Sequence, residues 1–215
     1  MLILFSFLVC NFSIAQPKKG NFSIEAHYGL NGNFFVRSYD ETSSIGTLQE
    51  AIFYKKNFIG TNLQINTGYY FNKKWKLSLG YTRQENKRDI TYTKAYPNYF
   101  LNINTTIRHF NNFWDLELTR YYENKNHRLG ITLGASYMRF RQNEIDILYN
   151  GRAINIEERD VKRYHLEDLG LVVGCTYDFK IQPKVYLGMS TKFHYNVTAD
   201  IAESVSISPY VHFYF

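Results

Sequence analysis

Residues 206–215 read SISPYVHFYF. Successive side chains of a strand point to opposite faces, so Ile207, Val211, Phe213 and Phe215 share one face, and Ser206, Ser208, Tyr210, His212 and Tyr214 the other. The end of a domain is poorly ordered unless something ties it down. An alternating aromatic stretch here predicts a strand that is paired, and pairing needs a partner elsewhere in the chain.

The same parity recurs from Gly20 onward, giving eight strands of about ten residues, the length a tilted strand needs to cross a bilayer. The apolar rows begin with Phe22, Ile24, Ala26, Tyr28 and Leu30, then Ile59, Leu63, Ile65, Tyr69 and Phe71. Trp75, Leu77, Leu79 and Tyr81 form the third, and Trp114, Leu116, Leu118 and Tyr122 the fourth. The fifth is Leu129, Ile131, Leu133, Ala135 and Tyr137, and the sixth runs from Leu169 to Phe179. Val185, Leu187, Met189, Phe193 and Tyr195 precede the closing row. Gly29, Gly60, Gly68, Gly80, Gly130, Gly134, Gly170, Gly174 and Gly188 all fall on the polar side, although the parity count did not use glycine. A small closed barrel has little room inside, whereas a lipid face needs side chains.

Connections alternate in length. Short polar turns stand at 72–74, 123–126 and 180–183, and longer segments at 37–57, 84–106, 141–163 and 196–203. The fold expected is all-β: an eight-stranded antiparallel up-and-down transmembrane β-barrel with short periplasmic turns and longer outer loops, both termini periplasmic. The last strand pairs with the first, because open strand edges are not tolerated in lipid. A secreted barrel with the apolar row inside is the soluble rival, and the inward glycines and aromatic final strand weigh against it.

Composition agrees. The 215 residues suit one domain, and 19 Tyr and 17 Phe with only 4 Pro and 2 Cys suit strands and membrane interfaces. The formal charge of +6 is scattered along no single motif, so nucleic acid is not an expected partner. Residues 1–15, MLILFSFLVCNFSIA, read as a cleaved signal peptide, with 16–215 as the single barrel domain. That leaves Cys175 alone in the mature chain, with no metal-ligand spacing, and no metal or other cofactor is expected.

At this point the chain resembles the small outer-membrane β-barrel family of Gram-negative bacteria (the OmpX, OmpW and OmpA-barrel type), on its eight alternating strands and its terminal YVHFYF. The resemblance implies an outer-membrane address. It also implies that Tyr210, His212, Phe213 and Phe215 form the signal read by the barrel-assembly machinery.

The inward rows carry Glu25, His27, Lys76, Asp115, Glu117, Arg128, Asp168, Lys192, His194 and His212, as well as Asp178. Buried charges must be paired or hydrogen-bonded, so these residues are expected to form a polar network that plugs the lumen. A small channel or a lipid-binding barrel is the alternative. A third reading, a lipid A-modifying enzyme, would draw on Ser190, His194 and Glu25. Among the outer segments, Tyr92, Tyr96, Tyr99 and Phe100 are a candidate binding surface, since tyrosine is favoured at interface hot spots, or else pack within the loop. The expected role is structural, surface-interacting or accessory and non-catalytic. Outer-membrane lipid, lipopolysaccharide and another outer-membrane protein are the expected contacts.

Overall fold

A computed structural model describes residues 20–34, 50–55, 57–96, 99–124, 126–149, 154–160 and 166–215. The expected signal peptide, 1–15, lies outside them. Ten strands follow in order: β1 Phe22–Asn33, β2 Glu50–Lys55, β3 Ile59–Asn72, β4 Trp75–Tyr96, β5 Tyr99–Asn124, β6 His127–Tyr149, β7 Ile154–Asp160, β8 Leu166–Gln182, β9 Val185–Asn196 and β10 Ile201–Tyr214. Eight close into a ring of antiparallel neighbours, β1-β3-β4-β5-β6-β8-β9-β10, and β10 returns to β1.

That return pairs Ser23 with Tyr214 and His27 with Tyr210, and the Phe215 amide donates to the Phe22 carbonyl at 2.9 Å. The 206–215 stretch is thus tied down by the first strand. The ladder breaks opposite Pro209, which has no N–H to give, and resumes at Leu30 and Ile207. At the break the two backbones crowd together. A Cβ on Gly29 would stand 2.2 Å from the Ile207 carbonyl oxygen, so only glycine fits there.

Three turns are tight. Asn72 Oδ1 accepts from the Lys74 and Trp75 amides at 2.8 and 2.9 Å, an Asx turn that reverses β3 into β4. At the opposite end the strands outgrow the barrel. Residues 84–106 read as a loop from sequence, but β4 and β5 stay paired from Glu85 and Phe110 up to Tyr96 and Tyr99. Beyond the apolar belt neither face meets lipid, so a polar ribbon carries no parity signal. Likewise β2, within the expected loop 37–57, pairs with the upper part of β4, and β7 with the extension of β6.

The faces are inverted relative to a water-soluble protein. Outward residues such as Leu79 (64% exposed), Leu133 (61%) and Leu169 (65%) are bare, whereas Glu25, Lys76, Asp115, Glu117, Arg128 and Lys192 are buried. In water such a belt would leave far more contiguous apolar surface exposed than soluble monomers do. Aromatic rings bound it. Phe22, Phe71, Tyr122, Phe179 and Phe215 lie exposed toward the tight turns, with Trp75 half-buried beside them. Toward the long strands Tyr81, Trp114 and Tyr137 form a row across β4, β5 and β6, with successive ring centroids 5.6 Å apart.

Leu171 and Leu187 face outward within this belt, toward its outer and its tight-turn side respectively, 47% and 45% exposed. Replacing either with Arg is expected to destabilise the fold in lipid, by up to about 2–4 kcal/mol depending on depth, read by urea titration in vesicles. Parent-like stability would mean that the inside and outside faces have been exchanged.

Candidate functional site

The chemically distinctive region is the lumen, where the inward rows of all eight barrel strands meet. At the tight-turn end the Arg128 guanidinium, from β6, is enclosed by four tyrosines, one each from β3, β5, β9 and β10. Its Cζ lies 3.9 Å from the ring centroid of Tyr121, 4.8 Å from that of Tyr186, 5.4 Å from Tyr214 and 5.9 Å from Tyr70. Tyr121 and Tyr186 offer ring faces. Tyr70 and Tyr214 also accept hydrogen bonds from Nη1, and their own hydroxyls are 3.0 Å apart. Asp178, from β8, takes Nε at 2.8 Å and Nη2 as well, and its other oxygen accepts from the Tyr210 hydroxyl.

His212 connects this cage to a second cluster. Its Nδ1 is 3.1 Å from Arg128 Nη2 and 3.1 Å from Glu25 Oε1. A guanidinium can only donate, so Nδ1 accepts from it and Glu25 draws its donors from elsewhere. These are Lys76, which pairs with Oε1, and Asn66, 3.1 Å from Oε2. His27 Nε2 stands 3.5 Å from the same carboxylate, its ring stacked on Tyr210 at 4.4 Å.

Higher in the barrel Lys192 pairs with Glu117. His194 Nε2 lies 3.3 Å from Asp115, which also accepts from Ser136 at 2.7 Å, and the His194 ring stacks on Phe113 at 4.1 Å. Nearest the long strands, Glu203 accepts from Asn33, Asn111 and Asn196 at 3.2, 2.6 and 3.2 Å.

The lumen residues expected from sequence therefore fall into these clusters, with one difference. Asp168 is only half-buried and lies at the mouth, beside Met138, Asn196 and Glu203. It occupies an inward position, but one near the end of β8, where the wall no longer covers it. Sequence reasoning missed the cage. Parity puts Tyr70, Tyr121, Tyr186 and Tyr214 inside, yet only the cross-strand register reveals that all four converge on one arginine. The Glu203 site was missed because 196–203 reads as a loop.

Of the expected assembly signal, Tyr210 and His212 are buried inward, while Phe213 is half-exposed and Phe215 exposed on the outer face. Of the candidate outer binding residues, Tyr92 is half-buried on the ribbon, and the side chains of Tyr96, Tyr99 and Phe100 lie outside the described set. Ser190, His194 and Glu25 do not form a catalytic trio. No hydrogen bond joins Ser190 Oγ to either partner, His194 is engaged with Asp115, and Glu25 with Lys76. Among the described residues no cluster of His, Cys, Asp or Glu could hold a metal ion.

Removing Arg128 alone strands Asp178 in the closed end. Arg128→Leu is expected to cost about 3–5 kcal/mol, and the double variant with Asp178→Leu to recover part of that loss, both read from urea unfolding in vesicles. Equal losses in the single and double variants would mean that the cage, not the ion pair, sets the penalty.

Past the outer aromatic row, His109 on β5 stacks on Phe140 at 5.9 Å, and neither ring nitrogen has a hydrogen-bond partner. Burial, aided by the Arg88 guanidinium, pulls its pKa from 6.5 down to about 4. The folded state then binds fewer protons than the unfolded one between these values, so stability falls as pH drops from 6.5 to about 4 and loses no more below. Titration of the His109 ring by NMR is expected to give a midpoint near 4, and one near 6.5 would mean that the ring is open to water.

No protein-family model matches the chain, and no curated protein matches it. Similar solved structures include Ail, the attachment invasion locus protein of Yersinia pestis, at 13% identity over 92% of this chain and 99% of that one, with a TM-score of 0.49. Neisserial surface protein A is 17% identical over 92% and 100%, with a TM-score of 0.49. The outer membrane protease OmpT from Escherichia coli is 10% identical over 96% and 99%, with a TM-score of 0.42. Strand number, closure of β10 on β1 and the apolar outside are properties of the chain itself. On those grounds it has the fold of the small outer-membrane β-barrels.

Proposed function

We propose that this protein spans the outer membrane of a Gram-negative bacterium as a sealed, non-catalytic barrel that presents its long β4–β5 ribbon to partners outside. The observation that carries this reading is the filled lumen. Arg128 and its four tyrosines, all buried, reach inward from five wall strands at one end, and the Glu25, Glu117 and Asp115 clusters continue the filling upward. A charge set in which each member is held by a fixed partner stiffens the wall and leaves no row of free charge to guide an ion. The apolar belt with aromatic borders supports the bilayer address, and the tight turns on the side of the cage support a periplasmic location for that end.

The aromatic β10 is read as the element engaged by the barrel-assembly machinery, and its register with β1 supports a role in closure. The ribbon, braced by β2, supports contact with another envelope protein or surface. A catalytic role would need a nucleophile with a base in reach, and Ser190 has none.

In planar bilayers the protein is expected to give no conductance above background. A current that changes when Lys76, Glu117 or Arg128 is neutralised would replace the sealed scaffold with a narrow channel. The same preparation, extracted in mild detergent, shows by mass spectrometry whether a second protein accompanies it in stoichiometric amount. Lipid A of altered mass in cells carrying the gene would return the enzyme reading.

A further inference from the structure

At the outer mouth of the barrel a buried carboxylate has no cation. Glu203, on β10, is 2% exposed, and its oxygens are held by carboxamides alone: Asn33 and Asn111 donate to Oε1 at 3.2 and 2.6 Å, and Asn196 to Oε2 at 3.2 Å. Deeper in the lumen Glu25, Glu117 and Asp178 each have a lysine or an arginine, and Asp115 has His194. Asp168, on β8, lines the same small cavity as Glu203 and Asn196, and among the described residues it has neither a hydrogen bond nor an ion pair. Two like charges thus share one site without a positive partner, and unpaired charge is costly to bury.

The amides around Glu203 spend their nitrogens on it and leave oxygen over. Asn111 is 2% exposed and its Oδ1 has no hydrogen-bond partner, although the planar amide holds that oxygen beside the carboxylate its nitrogen touches. Asn196 offers its Nδ2 also to the Met138 sulfur at 3.6 Å, a weak acceptor. A carboxamide exchanges nitrogen for oxygen by turning about its last side-chain bond, so groups that donate to a bare Glu203 can present oxygen to an ion beside it. The cavity measures about 40 Å³, with Met138 and Phe140 as its apolar wall, and reaches the rim at Ala199 and Ile201. That is room for one ion and a water. Gly170 keeps the Asn196 side open, since a Cβ there would stand 3.2 Å from Asn196 Oδ1.

We propose that this pocket binds one divalent cation of calcium's size, with the Glu203 and Asp168 carboxylates as its charged ligands and the Asn111 and Asn196 carboxamide oxygens, with water, completing the shell. Oxygen-only donors suit a hard cation. A shell drawn from β5, β8, β9 and β10 is adaptable, which favours calcium over magnesium, an ion that demands near-ideal octahedral geometry and gives up water reluctantly. Two carboxylates are too few for a metal centre of His, Cys, Asp and Glu alone, and carboxamides carry no spacing signal, so the sequence shows nothing of the site. A bound ion ties β5, at the root of the long ribbon, to the β8–β10 wall across the mouth.

The site belongs to the closed barrel and needs no bilayer, so the full barrel is tested in a phosphate-free, sugar-headed detergent. Terbium is the probe, with emission sensitised by Trp114, which lies on β5 close in sequence to Asn111. Calcium is expected to displace terbium and to raise the temperature of the heat-dependent gel shift, and magnesium at the same concentration to do neither. Glu203→Gln and Asp168→Asn should each weaken terbium and calcium binding about tenfold or more, since affinity follows the number of charged ligands. Glu167→Gln, which removes a charge from the outer face beside Asp168, should leave binding unchanged. The gel shift in chelator shows whether each variant folds, and Asp168→Asn, at a half-exposed position, carries the test if Glu203→Gln does not. No emission that calcium displaces, parent-like affinity in a folded Glu203→Gln or Asp168→Asn variant, or an equal loss in Glu167→Gln would each overturn the site. Equal displacement by magnesium would overturn its assignment to calcium.

Discussion

In hydrocarbon no water is available to satisfy a backbone amide, so a strand sheet must have no free edge at that depth. The pairing of β1 with β10 meets this requirement, and most of the structure follows from it. Closure fixes which side of each strand faces inward. It also confines the inward residues to a narrow tube, where polar groups find one another rather than solvent. The apolar outside is then a solvent match, and the polar inside is a consequence of closure, not of a separate core.

The interior is crowded as well as polar. Gly134 illustrates this, since a Cβ there would lie 2.3 Å from the Leu116 carbonyl oxygen. Such close approach lets the wall coil tightly, and the space left is filled by long side chains that reach across the axis. Lys76 and Lys192 are of this kind, with flexible stems and charged ends that meet a carboxylate on a non-adjacent strand, while Arg128 pairs with Asp178 on the next strand and reaches across to Tyr70 and Tyr214.

Much of this fold was legible in the sequence because the lipid imposes a period of two. Leu77 and Leu79 on one side of Ser78 could be read without knowing any neighbour. The ribbon was not legible, because Asn86, Arg88 and Ile90 alternate with Lys87 and Asp89 under no such constraint, and only their pairing with β5 makes them a strand. The lumen was legible as an inventory but not as a map. His194 and Asp115 are 79 positions apart, and their encounter depends on the register of the strands that carry them.

The arginine cage bears on how the barrel can come apart. Arg128, Tyr70, Tyr121, Asp178, Tyr186 and Tyr214 come from six strands, and through His212 and Glu25 the network reaches Lys76 on β4 and Glu25 on β1, so every wall strand contributes. The four consecutive strands β5, β6, β8 and β9 hold Arg128 with Asp178, Tyr121 and Tyr186, but the Tyr70 and Tyr214 hydroxyls come from the other half of the ring. An arginine enclosed before β10 arrives would have its carboxylate but lack the Tyr214 hydroxyl and His212, so partly closed intermediates are incompletely satisfied within as well as at their edges. The closing strand thus completes the cage with Tyr214 and His212, and couples closure of the ring to satisfaction of its buried arginine.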